Sequence, residues 1–145
     1  MQRFKMNLPG ALLLMLLAGL LASCNHSNDD NPGPNDNPPA AGTWRITYFY
    51  DKQDETSNYA GYTFEFGNSG SITATKGGQT WSGSWSTGFD DSHNKFLIDF
   101  NGNPPSALLE LEEDWHILEQ TDDFMHFEHT SGGNGDTDVV KFVRD

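Results

Sequence analysis

Cysteine occurs once, as Cys24, in a chain of 145 residues. A single thiol forms no internal disulfide and supplies no cysteine-rich zinc site. Positive charge is scarce as well: 8 Lys and Arg stand against 21 Asp and Glu, a formal net charge of −13. Without a basic stripe to displace counterions from phosphates, the chain is not expected to bind nucleic acid, nor to dock electrostatically on anionic lipid. No apolar run reaches the roughly 20 residues needed to cross a bilayer as a helix. There is no Gly-x-Ser-x-Gly elbow, phosphate loop or dinucleotide fingerprint, so no enzyme activity and no cofactor are expected. What is present is aromatic: 10 Phe, 4 Trp and 4 Tyr among abundant Gly, Ser, Thr and Asn. That mixture suits a turn-rich β protein better than a helical one.

Residues 1–23 read as a targeting segment. Arg3 and Lys5 give a positive start, and residues 11–22 form an apolar stretch of 12, the length of a secretory signal core. The stretch ends in Leu21-Ala22-Ser23-Cys24, which resembles the bacterial lipobox. The resemblance implies that Cys24 receives a diacylglyceryl group, becomes the first mature residue and is acylated again, for example by palmitate. Such multiple acyl chains make a stable membrane anchor. An ordinary secretory peptide with a chance cysteine is the alternative. Cleavage leaves 6 basic residues against 21 acidic ones, a net charge of −15.

Residues 24–41 follow as the lipidated Cys and a tether; after Cys24 it carries four Pro, five Asn and three Asp. With so little to bury it is expected to be disordered, its ends roughly 20–25 Å apart as a coil. The run Ser27-Asn28-Asp29-Asp30 resembles the export signal of Bacteroidetes surface lipoproteins. That implies display on the outer face of the outer membrane, with a soluble linker on a periplasm-facing lipoprotein as the other reading.

Residues 42–145 fall into short alternating runs punctuated by turn chemistry. Trp44, Ile46, Tyr48 and Tyr50 share one face of the first run; Tyr62, Phe64 and Phe66 share one face of the second. Ile72 and Ala74, then Trp81, Gly83 and Trp85, then Phe96, Ile98 and Phe100 continue the pattern. Trp115 with Ile117, Met125 with Phe127, and Val140 with Phe142 complete eight strands. Gly77-Gly78 marks a hairpin. One short helix, residues 106–113, is expected between strands five and six, after Pro104-Pro105. Eight strands with one apolar face each predict an all-β, antiparallel up-and-down meander barrel, since closure removes exposed edges. A two-sheet sandwich is the alternative.

Gly42-Thr43-Trp44 resembles the Gly-x-Trp motif of lipocalins, where the Trp plugs the closed end of an eight-stranded barrel against an Arg near the end of the last strand. Arg144 is placed to be that Arg. Thr121-Asp122-Asp123 stands where lipocalins carry Thr-Asp-Tyr. Three long connections, 51–61, 101–114 and 130–138, would gather at one mouth, as in that family. The chain thus resembles the lipocalin-like (calycin) domains of small Bacteroidetes lipoproteins, and the resemblance implies a monomeric, non-catalytic binding protein for a small hydrophobic ligand. The residues to line that site are Tyr48, Phe64, Trp81, Trp85, Phe96 and Phe127, with Gly42, Trp44 and Arg144 structural.

Two features qualify that expectation. Large inward aromatics fill much of a barrel this narrow. The mouth also carries Asp51, Asp54, Glu55, Glu110, Glu112, Glu113, Asp114, Asp136 and Asp138, which would repel anions and admit only neutral or cationic molecules. The alternative is a packed barrel that recognises glycan or protein through its acidic loops and exposed aromatics; Tyr59, in the long first loop, is a candidate for an exposed contact or equally for pinning that loop down. Trp81 and Trp85, four apart on one strand face, would stack on a sugar ring if outside, or join the core if inside. No metal site is expected. The Asp of Gly132-Gly133-Asn134-Gly135-Asp136 is one place late for the calcium-binding repeat, and the motif occurs once. His126 and His129 are three apart on a strand and face opposite sides, and His116 reads as a solvated surface residue.

Overall fold

The computed structural model describes residues 37–130 and 135–145. The expected signal segment, the Cys24 lipidation site, the tether up to residue 36 and residues 131–134 of the glycine-rich loop lie outside the described residues.

Eight antiparallel strands succeed one another: β1 Thr43–Asp51, β2 Thr63–Gly67, β3 Ser71–Lys76, β4 Gln79–Asp90, β5 His93–Phe100, β6 Asp114–Gln120, β7 Phe124–Thr130 and β8 Thr137–Arg144. Each pairs with the next, and β8 returns to β1 from Trp44↔Arg144 to Tyr50↔Val139. The meander therefore closes into a barrel and not a two-sheet sandwich. A two-residue ladder, Gln53–Asp54, folds back on the end of β1.

Helix α1, Ser106–Leu109, lies between β5 and β6. It stops before the expected residue 113 because its last turn tightens: the Leu111 and Glu112 N–H groups donate to the Leu108 and Leu109 carbonyls. The tightening drives Leu108 and Leu111 into the core and leaves Leu109 exposed. The Leu111 carbonyl then accepts the buried Trp115 indole N–H at 2.9 Å.

Strict alternation would put Tyr48 and Tyr50 on the Trp44 face, and the structure corrects this. The β1–β8 register shifts between Ile46 and Tyr48, and one extra residue inverts every side chain beyond it. Phe49 turns inward at 1% exposure, whereas Tyr48 is half-buried on the outside with the Lys141 ammonium 5.4 Å from its ring centroid. β6 shifts likewise between Ile117 and Glu119 and leaves Leu118 exposed.

At one end of the barrel Gly42, Trp44 and Arg144 come together. Trp44 is buried and donates its indole N–H to the Ala40 carbonyl at 2.9 Å. Arg144, its register partner across the closing ladder, donates to the Ala41 carbonyl at 3.1 Å. Gly42 sits at φ 142° with Arg144 Cδ 3.0 Å from where a Cβ would stand, so the arginine lies over the glycine backbone. These bonds fix residues 40–42 across the end of the barrel.

Two glycines of β4 have opposite surroundings. A Cβ on Gly83 would lie 2.0 Å from the Asp99 carbonyl oxygen, whereas at Gly88 nothing lies within 4 Å. Gly83→Ala should cost about 1–3 kcal/mol or more in a denaturant titration through overpacking. Gly88→Ala should stay within about 0.5 kcal/mol of the parent. Equal effects would contradict this packing of β4 on β5.

Candidate functional site

The inward positions expected to line a ligand cavity pack against one another. Phe64, Phe96 and Phe127 are fully buried. Phe96 stacks on Phe127 at 4.8 Å, and Phe64 meets Phe142 edge-on at 5.5 Å; such pairs add about 0.5–1.5 kcal/mol each beyond area burial. Trp85 is partly buried, stacks on Phe96 at 5.4 Å and 5°, and donates its indole N–H to the Gly67 carbonyl. Trp81 is also partly buried and rests 5.8 Å from Tyr62. Both tryptophans therefore belong to the core's margin, and no outward stacking platform forms from them.

Of the two readings of Tyr59, exposed contact or pin for its loop, the structure has the second: it is only 2% exposed. The long β1–β2 connection folds inward through a 3-10 turn, Thr56–Tyr59. The Phe49 N–H donates to Thr56 Oγ1 at 2.9 Å, and the Glu55 N–H donates to the Phe49 carbonyl at 3.0 Å. These bonds satisfy the backbone of β1 where it parts from β2, a ladder of only two residue pairs. Tyr59 thereby packs 4.7 Å from Phe49 and caps the mouth, its hydroxyl 3.5 Å from Glu110 Oε2. Burial, and then the negative charge of Glu110, push the Tyr59 phenol far up. Burial likewise pushes the Glu110 carboxyl up, aided by Glu55 and Asp51 and opposed by the bond from Tyr59.

Three hollows among the described residues lie outside this core. A groove of about 620 Å³ runs between the outer face of β4–β5 and the segment leading into β6. Ser84, Ser86, Leu97 and Asp99 form its floor, and Glu112, Glu113 and Asp114 its wall. It exists because the β5–β6 ladder is short, made of Lys95↔His116, Phe96↔Trp115 and Leu97↔Asp114. Beyond Leu97 the chain diverges towards α1, and the gap is bridged by Glu112 Oε1, which accepts the Phe100 N–H at 2.8 Å. Leu97 is 41% exposed on the floor. Two smaller hollows, beside Gln120–Thr121 and beside Gly42–Thr43, also lie at the surface and not in the barrel interior.

A polar cluster flanks the groove. Lys95, 6% exposed, has its ammonium 2.9 Å from Asp114 Oδ2 and 2.9 Å from His116 Nε2. His93 stacks on His116 at 4.5 Å. Burial, then Lys95 and His93, push His116 down, and the ring, expected as a solvated surface histidine, is half-buried against Lys95 and His93. His129 Nδ1 lies 3.1 Å from Glu113, with Trp115 edge-on to its ring, and His126 lies 3.5 Å from Glu128. The two histidines thus have different neighbours, as their spacing predicted. Among the described residues no group of three His, Cys, Asp or Glu side chains could hold a metal ion.

The groove was not visible in the sequence as a unit. Three of its carboxylates, Glu112, Glu113 and Asp114, belong to the acidic segment already assigned to the mouth, but Asp99 and the rest of its floor come from β4 and β5, and only the early end of the β5–β6 ladder brings the two together.

A carboxyl whose proton affinity is higher in the folded than in the unfolded chain favours folding as pH falls through its titration, and costs stability when charged. Glu110→Gln should therefore raise Tm at neutral pH, and the gain should shrink as pH falls through the raised Glu110 titration and be gone once pH is below the unfolded value of about 4.3, where both chains are protonated. A lower Tm for Glu110→Gln at neutral pH would contradict this electrostatic origin of strain at the mouth.

No family model matches the chain, and no curated protein matches it. Among solved structures, the chain is similar to the crystal structure of a DUF4847 family protein from Bacteroides vulgatus. The two share 16% identity over 73% of this chain and 94% of that one, with a TM-score of 0.49.

Proposed function

We propose that this chain is a membrane-tethered, non-catalytic recognition module that binds a basic protein segment in the groove beside β5, and that it carries no ligand inside its barrel. The observation behind this reading is the contrast between an interior occupied by aromatic rings and an outer groove of about 620 Å³ with four carboxylates on its walls and floor. An Arg or Lys suits that geometry: its aliphatic stem can lie on Leu97 while its cationic head meets Asp99, Glu112, Glu113 or Asp114. Glycan recognition has less support, since the tryptophans that could stack on a sugar turn towards the core. Interior carriage would require Phe64, Phe96 and Phe127 to separate. In this reading Cys24 carries the lipid, the tether spaces the barrel from the outer membrane surface, and residues 40–42 join the tether to the closed end.

Tetraarginine is a suitable probe. In a titration followed by amide NMR at low salt it should shift Ser86, Leu97, Asp99 and Asp114 together. Asp99→Asn combined with Glu113→Gln should weaken it about tenfold, equivalent to about 1.4 kcal/mol in total, the scale of two ion-pair contacts discounted for solvent screening. Shifts scattered over the acidic surface and unaffected by these substitutions would overturn the assignment.

A further inference from the structure

The geometry points to an acid-sensitive latch on the groove: neutral His116, accepting a hydrogen bond from the Lys95 ammonium, holds the short β5–β6 seam closed, and protonated His116 releases it. The consequence for binding rests on the groove reading above; the latch itself rests only on the seam.

An ammonium has three donors and no acceptor. With Lys95 Nζ 2.9 Å from His116 Nε2, the ring nitrogen must present a lone pair, and the imidazole must carry its proton on Nδ1. The contact spans the seam, because Lys95 and His116 are register partners on β5 and β6. Only three residue pairs make that ladder, so the two side-chain bonds that Lys95 makes across it, to His116 and to Asp114, are a large share of what holds it, and loss of the first loosens it.

Every charged group around the ring bears on the outcome of protonation. On β5, Lys95 and the stacked His93 oppose a charge on His116. On β6, Asp114 favours it but is already bound to Lys95 at 2.9 Å. On β7, Glu128 stands directly opposite His116 in the ladder, with His126 3.5 Å from it. His129 opposes the charge from further along the same strand. An imidazolium would thus be repelled by Lys95 and drawn towards Glu128, exchanging a bond across β5–β6 for one across β6–β7. Burial pushes His116 below the ordinary histidine range. The folded state then binds fewer protons than the unfolded chain, and this part of its stability declines as the solution is acidified. Asp114, which keeps its own bond to Lys95, is also a wall of the groove, so movement at the seam alters the same space.

The test is amide exchange of the intact protein at Phe96, Ile98 and Trp115 between about pH 7.5 and pH 5.5, corrected for intrinsic rates. Opening of these amides should increase about tenfold on acidification, the equivalent of one lost charge-assisted bond. Exchange at the long β1–β8 ladder should change little. His116→Gln, which keeps an acceptor for Lys95 but does not titrate, should abolish the pH dependence. A pH response that persists in His116→Gln would overturn the latch. So would a long-range nitrogen–proton spectrum of the unsubstituted protein showing the neutral ring protonated on Nε2, which holds even if the variant fails to fold. Tetraarginine titrations at both pH values separate the two claims. Seam exchange that matches the prediction without peptide binding would refute the groove reading and leave the latch standing, and binding without a seam response would do the reverse.

Discussion

The β1–β8 ladder, from Trp44↔Arg144 to Tyr50↔Val139, is the interaction on which the rest of this structure depends. Without it the meander would be an open sheet with two bare edges and one apolar face in water. With it, the inward faces of eight strands share one volume, and rings as large as Trp44, Trp115, Phe64 and Phe127 fill that volume. The Trp44–Ala40 and Arg144–Ala41 bonds then belong to closure as much as to the chain that precedes it, because both residues sit in the closing ladder. A barrel this narrow has room for side chains or for a small ligand, and here the side chains occupy it.

Closure does not distribute pairing evenly. The β4–β5 ladder runs through eight pairs, while β5–β6 has three and β1–β2 two. The two weak seams are handled differently. At β1–β2 the loop itself folds in, with Thr56 bonding the Phe49 backbone and Tyr59 covering the mouth. At β5–β6 the covering is side-chain chemistry: Glu112 bonds the Phe100 N–H, and Lys95 ties Asp114 to His116. The first solution excludes water with an aromatic ring. The second leaves a polar hollow on the outer side of the barrel wall.

Much of the architecture was legible because it obeys local rules. Alternation identified the eight strands, Gly77-Gly78 marked a hairpin, and Gly42, Trp44 and Arg144 lie together at one end. What escaped depended on single-residue irregularities and on loop folding. The bulge after Ile46 exchanges Tyr48 for Phe49, and period-2 reasoning has no signal for a residue inserted into a strand. Tyr59 was legible only as one of two readings, because the inward fold of its polar loop is set by Thr56 bonding the Phe49 backbone, which the loop's residue types do not announce. The groove needs the place where one ladder ends, a property of strand stagger that residue types do not encode. Lys95 was the least visible of all: an outward lysine on an alternating strand gives no sign that it will be buried between a carboxylate and a histidine.

The central claim is that the interior is filled and recognition is external. Methyl NMR of the protein under xenon pressure tests it directly, since xenon enters apolar cavities without needing a specific chemical match. Ile72, Leu108, Met125 and Val140 are buried reporters around the core. Their methyl signals should show only the small linear shifts of pressure. Saturable shifts converging on these four residues would reveal an interior site and contradict that claim.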